Sequence, residues 1–324
     1  MMNLSRRGLM IGTAALIASS AVRAANHDIL TIEGPAFGAR WRVSASTNAR
    51  SADIVAAVME VVSSVDNAMS PFRPGSEISR FNAALTTEWQ AMSQDTMQVL
   101  QEAQRVSRLS GGAFDPTLGG IAGRYGFGPI LEEPAGAFVD MGFGPDQARK
   151  ADPRQTLDLC GIAKGHALDR VVAALSALGI QDALVEMGGE VLALGGHPDG
   201  RAWNVGVEHP LGDDGSLWHR IALAGEALAT SGDRHNSYRA GARRYGHIVN
   251  PRRMMPADTP LASVTVFAPR AMTADALATA LFALGAEVGP GLAQREGIPA
   301  LFLIRDGTGL REVMTAEYAS RMVT

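Results

Sequence analysis

Residues 156–194, which read TLDLCGIAKGHALDRVVAALSALGIQDALVEMGGEVLAL, decide the fold prediction. In chain order, the stretch predicts a short strand, a loop bracketed by glycines, a helix, and two strands separated by a glycine pair. The predicted spans are Thr156 to Cys160, Gly161 to Gly165, a helix that Gly179 ends, Ala183 to Met187, and Val191 to Leu194. Strands joined by so short a turn lie antiparallel, with the helix packed on their sheet.

Apolar periodicity on either side of this stretch extends the same α+β pattern. Predicted helices run from Asp53 to Met69 with Ser51 as a cap, from Gln94 to Leu109 ended by Gly111-Gly112, and from a Thr273 cap to Leu284 before Gly285. Further predicted strands are Trp203 to Val207, Ser263 to Ala268, and Pro299 to Ile304. The segment from Met69 to Asn82 is rich in turn residues and predicts a binding loop. Together these elements predict an α+β body of helices packed on a mixed or antiparallel sheet.

Composition and charge restrict the function classes. The chain is 46% hydrophobic and 19% charged, with a net charge of −4, which indicates a globular protein and disfavours nucleic acid as a partner. Cys160 is the only cysteine, so no intramolecular disulfide forms. A lone cysteine beside apolar Leu159 indicates a small core residue better than a nucleophile.

The first 24 residues have the pattern of an export signal. Ser5-Arg6-Arg7-Gly8-Leu9 is a twin-arginine start, an apolar run extends to Ser20, and Val22-Arg23-Ala24 offers small residues for cleavage. The run is shorter than the roughly 20 residues that span a bilayer. No cysteine follows it to carry a lipid. We therefore expect a signal peptide over residues 1–24, a mature domain over 25–324 without a membrane anchor, and a periplasmic location.

Two segments suit a metal and an anion. Asp275 and Thr279 are four residues apart, so a carboxylate and a hydroxyl share one helix face, and Mg²⁺ prefers such hard oxygen ligands. Taken alone, the pair is more often an ordinary first-turn acid and a helical Thr. The Gly161 to Gly165 turn opens a helix, where backbone N–H groups and Lys164 can face a diphosphate. Such a turn also serves simple packing.

Aromatic and imidazole side chains supply the remaining candidates. Phe72, in the predicted binding loop, and Phe114, beside Asp115, offer flat faces for an isoalloxazine or adenine ring. His247 lies in Tyr245 to Pro251, which predicts a short strand, and an imidazole there can take or orient a hydroxyl proton. Each Phe alone would more often be core, and each His structural. The histidines have no zinc-ligand spacing.

These segments, in this order, resemble the ApbE family of FAD:protein FMN transferases. The matching stretches are MSPFRPGSEISRFN at 69–82, GAFDP at 112–116, LDLCGIAKG at 157–165, EMGGE at 186–190, ATSGD at 229–233, YGHIVNP at 245–251 and ADALAT at 274–279. The resemblance implies an α+β, T-fold-like body of mixed or antiparallel sheets packed with helices. It also implies transfer of FMN from FAD to a Thr or Ser hydroxyl of an acceptor protein, with release of AMP.

The resemblance assigns site residues by position. It implies flavin or adenine contacts from Phe37, Phe72, Ala113, Phe114, Asp115, Asp158, Lys164 and Ile248. It implies Mg²⁺ ligation by Asp275, Thr279 and the Gly161 carbonyl, with His247 near the reaction centre. The acceptor it implies is a subunit of a membrane electron-transfer complex, and the opening of the chain is most similar to the branch that accompanies nitrous-oxide reductase maturation.

The chain departs from the family pattern at several positions. This chain has Phe37-Gly38-Ala39 where the family usually has Met-Gly-Thr, and Ala278 where the family often has an acidic residue. It has Asn250 in place of the usual Asp, and Arg253-Met254-Met255 in place of the usual Thr-Gly-Arg. Two other functions therefore stay open beside transfer. One is hydrolysis of FAD to FMN and AMP with water as the nucleophile, and the other is a flavin-binding assembly protein without catalysis.

Overall fold

The computed structural model describes residues 29–212, 215–241 and 243–323. The export signal predicted over residues 1–24 lies outside the described residues. The helices are α1 (Ser51–Met69), α2 (Glu77–Ala83), α3 (Gln94–Leu109), α4 (Gly119–Arg124), α5 (Ala163–Ala177) and α6 (Ala271–Arg295), with short 3-10 turns at Pro116–Leu118, Phe138–Asp140 and Tyr318–Arg321.

The strands fall into one large sheet and several small ones. They are β1 (Leu30–Ala36), β2 (Ala39–Ala45), β3 (Gln90–Ala91), β4 (Gly142–Phe143), β5 (Gln147–Arg149), β6 (Ala183–Met187), β7 (Glu190–Leu194), β8 (Trp203–Glu208), β9 (Leu217–Leu223), β10 (Ala227–Gly232), β11 (Ser237–Ala240), β12 (Arg243–Gly246), β13 (Val249–Asn250), β14 (Met255–Pro256), β15 (Leu261–Ala268), β16 (Ala300–Asp306) and β17 (Gly309–Thr315).

Within the described residues the main sheet has eight strands in the order β1-β2-β6-β7-β10-β15-β16-β17, and its pairings are antiparallel. Side chains alternate between two apolar layers, because successive residues of a strand point to opposite faces. On β15, Val264 and Val266 join the layer that contains α1, α3, α5 and α6, whereas Phe267 joins the layer under the β8–β9 hairpin. Both faces are therefore covered, which confirms the predicted α+β architecture.

The long helix α6 is the central support of the site. It packs on β10, β15 and α5, and Gly285, at φ 80°, interrupts it where the sequence predicted an end. Its length and composition would also suit a bilayer span, but its side chains lie largely inside the protein. Glycines allow the close approach of α5: a methyl group on Gly165 would lie 2.4 Å from the Ala271 carbonyl oxygen.

Several local predictions differ from the structure, some of them because a distant residue supplies the hydrogen bond. The span Thr156 to Cys160 is not a strand, because Leu157 exchanges hydrogen bonds with the Asn82 side chain (2.7 and 2.9 Å) and Asp158 N–H donates to the Pro116 carbonyl at 2.8 Å. The predicted binding loop between Met69 and Asn82 contains α2, which Ser76 caps.

The predicted helix caps are also wrong. Ser51 is the first residue of α1 and follows Arg50, which makes no capping bond through its side chain. Thr273 lies inside α6 and donates its hydroxyl hydrogen to Glu102 at 2.6 Å. Asp169, from α5, accepts the first N–H groups of α6 in its place. The strand predicted across His247 is divided, since β12 ends at Gly246 and β13 begins at Val249.

Replacing Gly165 with Ala should lower the free energy of unfolding by about 1–3 kcal/mol, because its new methyl group meets backbone rather than a flexible side chain. Gly291→Ala, also in a helix, is the matched control: its methyl group would have only the end of the Arg295 side chain nearby, at 3.6 Å. That control should leave stability unchanged or raise it by up to about 1 kcal/mol. Urea unfolding of both variants checks this, and equal midpoints would contradict the tight contact between α5 and α6.

Candidate functional site

Two carboxylates join α5 and α6 by each capping the other helix. Asp275 of α6 accepts the Gly165 N–H of α5 at 3.1 Å. Asp169 of α5 accepts the N–H groups of Ala271 and Met272, the first residues of α6, at 2.7 and 3.2 Å. Each acid lies where the partial positive charge of a helix N-terminus stabilises it. The exchange holds Lys164 and Asp275 side by side.

Lys164 is the cation of a largely buried ion cluster. Its ammonium lies 3.8 Å from Asp275 Oδ1 and also contacts Glu190 Oε1. Burial alone would lower the pKa of Lys164, but the Asp275 and Glu190 carboxylates raise it, so the ammonium stays charged. Burial, together with the Asp275 charge, raises the pKa of Glu190 to about 7, and burial raises that of Asp275 despite Lys164.

Sequence reasoning did not assign Glu190 to the site. The signal was present, because Glu190 ends the EMGGE stretch and follows a glycine pair that turns β6 into β7. Its Oε2 is buried and has no hydrogen-bond partner within the described residues. A buried carboxylate oxygen without a partner is costly, and such atoms mark places where a ligand completes the bonding.

Hard oxygen atoms gather beside this cluster. A methyl group on Gly161 would lie 3.4 Å from Thr279 Oγ1, so the turn and α6 meet at this point. Thr279 Oγ1 is 3.2 Å from Ser231 Oγ at the end of β10, another residue that sequence reasoning left unassigned. No group of three or more His, Cys, Asp or Glu side chains suited to a metal occurs in residues 29–212, 215–241 or 243–323. The side-chain oxygens here belong to a carboxylate and to hydroxyls, hard donors of the kind that Mg²⁺ prefers.

The Gly161 to Gly165 turn differs in one respect from its prediction as an anion loop. The Gly165 N–H faces the protein's own Asp275, and Ile162 and Ala163 donate to the Leu159 carbonyl at 3.0 and 2.9 Å. These N–H groups are therefore taken by internal partners. Lys164 is the cation of this turn, and its ammonium is paired with Glu190 and Asp275.

Phe114, Asp115 and Asp158 line the approach to Gly161. The Phe114 ring is buried, and a methyl group on Gly161 would lie 3.4 Å from it. Asp158 turns its carboxylate to Cys160 N–H at 2.9 Å, while Asp115 accepts the N–H of Thr117 at 2.8 Å. Ala113 is buried beside Phe114. These carboxylates shape the backbone around Cys160. Burial raises the pKa of the Cys160 thiol, but the residue is only partly buried and lies outside the apolar core in which it was predicted.

Phe37 and Phe72 lie on a more open side. Phe37, at φ 49°, forms the β1–β2 turn and lines an open depression of about 510 Å³ together with Val62 and Asp66 of α1. The same Asp66 pairs with Arg73 at 2.7 Å, which ties the Phe72 loop to α1. Phe72 itself is 57% exposed and is not part of the buried cluster.

His247 is held in one orientation and kept neutral. Its Nδ1 lies 3.3 Å from the Asn236 carbonyl oxygen, and because a carbonyl only accepts, Nδ1 carries the hydrogen and Nε2 is left as a proton acceptor. Burial lowers the pKa of His247 to about 4, and the Lys164 charge adds to this. Phe127 contacts the ring edge-on with centroids 6.4 Å apart, and Ile248 beside it is buried.

The chain is similar to known proteins of one family. The model of the ApbE family matches residues 37–302. A Vibrio cholerae protein named FAD:protein FMN transferase is 32% identical over 89% of this chain and 91% of its own length, and a Haemophilus influenzae protein of the same name is 30% identical over 87% and 88%.

Solved structures give the same result for the fold. The flavin transferase ApbE from Vibrio cholerae superposes with a TM-score of 0.82 at 30% identity, covering 91% of this chain and 99% of that one. The apo flavinyl transferase ApbE of Pseudomonas stutzeri also scores 0.82 at 30% identity, covering 91% and 96%. The chain therefore belongs to the ApbE family.

Proposed function

We propose that this chain is a magnesium-dependent FAD:protein FMN transferase, which moves FMN from FAD to a Thr or Ser hydroxyl of an acceptor protein and releases AMP. The observation that carries the proposal is the convergence of Lys164 and Asp275, 3.8 Å apart, with Thr279 one helical turn beyond Asp275. The names of the relatives support flavin transfer as the activity.

The oxygen donors fit the metal that this reaction needs. Asp275, Thr279 and the Gly161 carbonyl would hold Mg²⁺, which supplies positive charge to a bound diphosphate. With both carboxylates ionised, the cluster of Lys164, Glu190 and Asp275 has one more negative charge than positive. A divalent cation would turn that excess of one negative charge into one positive charge, which suits a bound diphosphate.

Two side chains of this protein would stabilise the negative charge on the diphosphate and accept the proton of the acceptor hydroxyl. Lys164 offers its ammonium to the diphosphate, close to where negative charge grows on the departing phosphate. The acceptor hydroxyl oxygen forms a bond to the FMN phosphorus, the bond from that phosphorus to the bridging oxygen breaks, and AMP leaves with the electron pair. The hydroxyl proton passes to Nε2 of His247, which is neutral at pH 7.

The substrate contacts belong to the same proposal. Phe114 lies against Gly161, and Ala113, Asp115, Asp158 and Ile248 are proposed as further contacts. Phe37 lines the open depression and Phe72 is exposed on a loop tied to α1, and a flat ring can stack on either side chain. Flavin and adenine contacts from these residues are consistent with a substrate that extends from the open side to the buried ion cluster.

The location and acceptor are proposed from the sequence. The twin-arginine start and the small residues before Ala24 support export to the periplasm, and the acceptor is a subunit of a membrane electron-transfer complex, as in nitrous-oxide reductase maturation. N-terminal sequencing of the mature protein should begin at residue 25. A mature protein that retains Met1 would contradict export by this route.

One assay separates transfer from its alternatives. The purified chain is incubated with FAD, Mg²⁺ and the soluble flavin-acceptor domain of such a complex, and AMP and denaturation-resistant flavin fluorescence on the acceptor are followed. We expect both signals in equal amount, and chelation of Mg²⁺ should abolish both. AMP without covalent flavin would indicate a hydrolase, and neither signal would indicate a binding protein.

Asp275→Asn tests the metal carboxylate. Asn keeps the size of Asp and an oxygen that can accept the Gly165 N–H, so the fold should persist while the charge is lost. We expect the transfer rate to fall at least about 100-fold, since charge stabilisation by a bound metal contributes several kcal/mol. Glu287→Gln, an exposed change in the same helix, is the control. A rate for Asp275→Asn equal to that of the control would remove Asp275 from the mechanism.

A further inference from the structure

The segment 234–253 is strongly basic within a chain of net charge −4. It contains six arginines and no Asp or Glu. We propose that Arg239, Arg252 and Arg253, with Tyr238 and Met254, form a docking surface for an acidic segment of the acceptor protein. We refer to these five residues as the arginine surface. The proposal rests on the proposed function, because it names the partner of the same site.

Ion pairs divide the six arginines into two groups. Three are neutralised within the protein, by the pairs Arg234–Glu208 at 3.1 Å, Arg243–Asp258 at 3.2 Å and Arg244–Asp233 at 3.8 Å. Arg239, Arg252 and Arg253 are exposed and have no ion pair to any residue in the described part of the chain. Their charges are therefore available to a partner.

A stack of aromatic rings stiffens the β11–β12 hairpin that carries Arg239. Tyr125 stacks on Tyr245 with centroids 5.7 Å apart, Tyr245 on Tyr238 at 5.5 Å, and Tyr238 on Phe127 at 5.5 Å. Tyr238 nevertheless leaves 43% of its surface exposed. A rigid, partly exposed Tyr loses little conformational freedom on binding, and Tyr, Met and Arg are enriched in protein interfaces.

The turn between β13 and β14 presents the other arginines. Asn250 Oδ1 accepts the N–H groups of Arg252 and Arg253 at 3.0 and 3.1 Å, so the turn is fixed and both side chains are exposed. Met254 follows at φ 51° and is 41% exposed. A left-handed conformation costs a residue with a side chain about 1 kcal/mol, which glycine would avoid. The turn therefore presents an exposed apolar side chain at a position where glycine would be less strained.

Both hairpins begin at the reaction centre. His247 N–H donates to the Asn236 carbonyl at 3.2 Å at the base of β11–β12, and Ala257 N–H donates to the Ile248 carbonyl at 2.8 Å at the base of β13–β14. A protein seated on the arginine surface would thus be adjacent to His247, the proposed acceptor of the hydroxyl proton. Lys164, the proposed contact of the diphosphate, is not part of the arginine surface and is largely buried.

The test compares two variants with the same change in net charge. One carries Arg239→Glu, Arg252→Glu and Arg253→Glu, and the control carries Arg108→Glu, Arg295→Glu and Arg311→Glu, all exposed positions outside segment 234–253. Affinity for the acceptor domain is measured without FAD or Mg²⁺, so binding is read independently of transfer. We expect the first variant to bind at least about 10-fold more weakly than wild type and the control to bind within about twofold.

Further measurements make the result decisive. Wild-type affinity should fall with added salt, while the FAD concentration for half-maximal AMP release should be the same in all three proteins. Equal affinity of the two variants, or a loss of FAD affinity in the first variant alone, would overturn the docking proposal. Binding to phosphatidylglycerol vesicles is measured for the same proteins. If the first variant loses vesicle binding but keeps its affinity for the acceptor domain, the surface binds lipid and the docking proposal is overturned. Acceptor binding without covalent flavin would contradict transfer and leave docking supported.

Discussion

The site depends on the exchange of carboxylate caps between α5 and α6. Neither helix has a capping side chain of its own, so each N-terminus relies on an acid from the other. The contact is possible because Gly165 has no side chain to separate the helix from Ala271. One interaction therefore fixes helix packing and chemistry together, since Asp275 caps α5 and also stands beside Lys164.

The buried charges make this arrangement costly without a ligand. Desolvation opposes every charge in the cluster. The attraction between Lys164 and the two carboxylates outweighs it at Lys164, whose pKa is raised, but not at the carboxylates. The raised pKa values of Asp275 and Glu190 express that cost. Such perturbed groups mark functional sites more often than stabilising ones. A bound cation would lower the cost, which explains why a protein retains two acids where one would neutralise the lysine.

The fold consists of a well-packed central sheet and of hairpins that lie outside it. The main sheet is covered on both faces, so the ends of α5 and α6 are set in a well-packed support. The hairpins β11–β12 and β13–β14 stand apart from that sheet and meet at His247. The structure thus combines a largely buried ion cluster with exposed basic hairpins.

Much of the architecture could be predicted from sequence. The spacing of apolar residues and the positions of glycines predicted α3 at its observed bounds, the break at Gly285 and the β6–β7 turn. These signals depend on local backbone preference and on burial of one helix face. The ordered motifs predicted the family. Errors arose at Thr156 to Cys160, at the start of α6 and in the strand across His247, where Asn82, Asp169 and Asn236 supply hydrogen bonds that no local pattern encodes. At the start of α1 the predicted cap Ser51 is simply the first helical residue.

By itself, then, the sequence determined which residue types were available: a lysine in a glycine turn, an acid and a threonine one helical turn apart, and a histidine before a basic hairpin. Only the tertiary structure decided that Lys164 and Asp275 lie 3.8 Å apart, that Glu190 joins them, and that Gly165 N–H is already occupied. The reason is physical: local preferences act over a few residues, whereas these contacts join residues as many as 110 positions apart and form only when both faces of the sheet are packed.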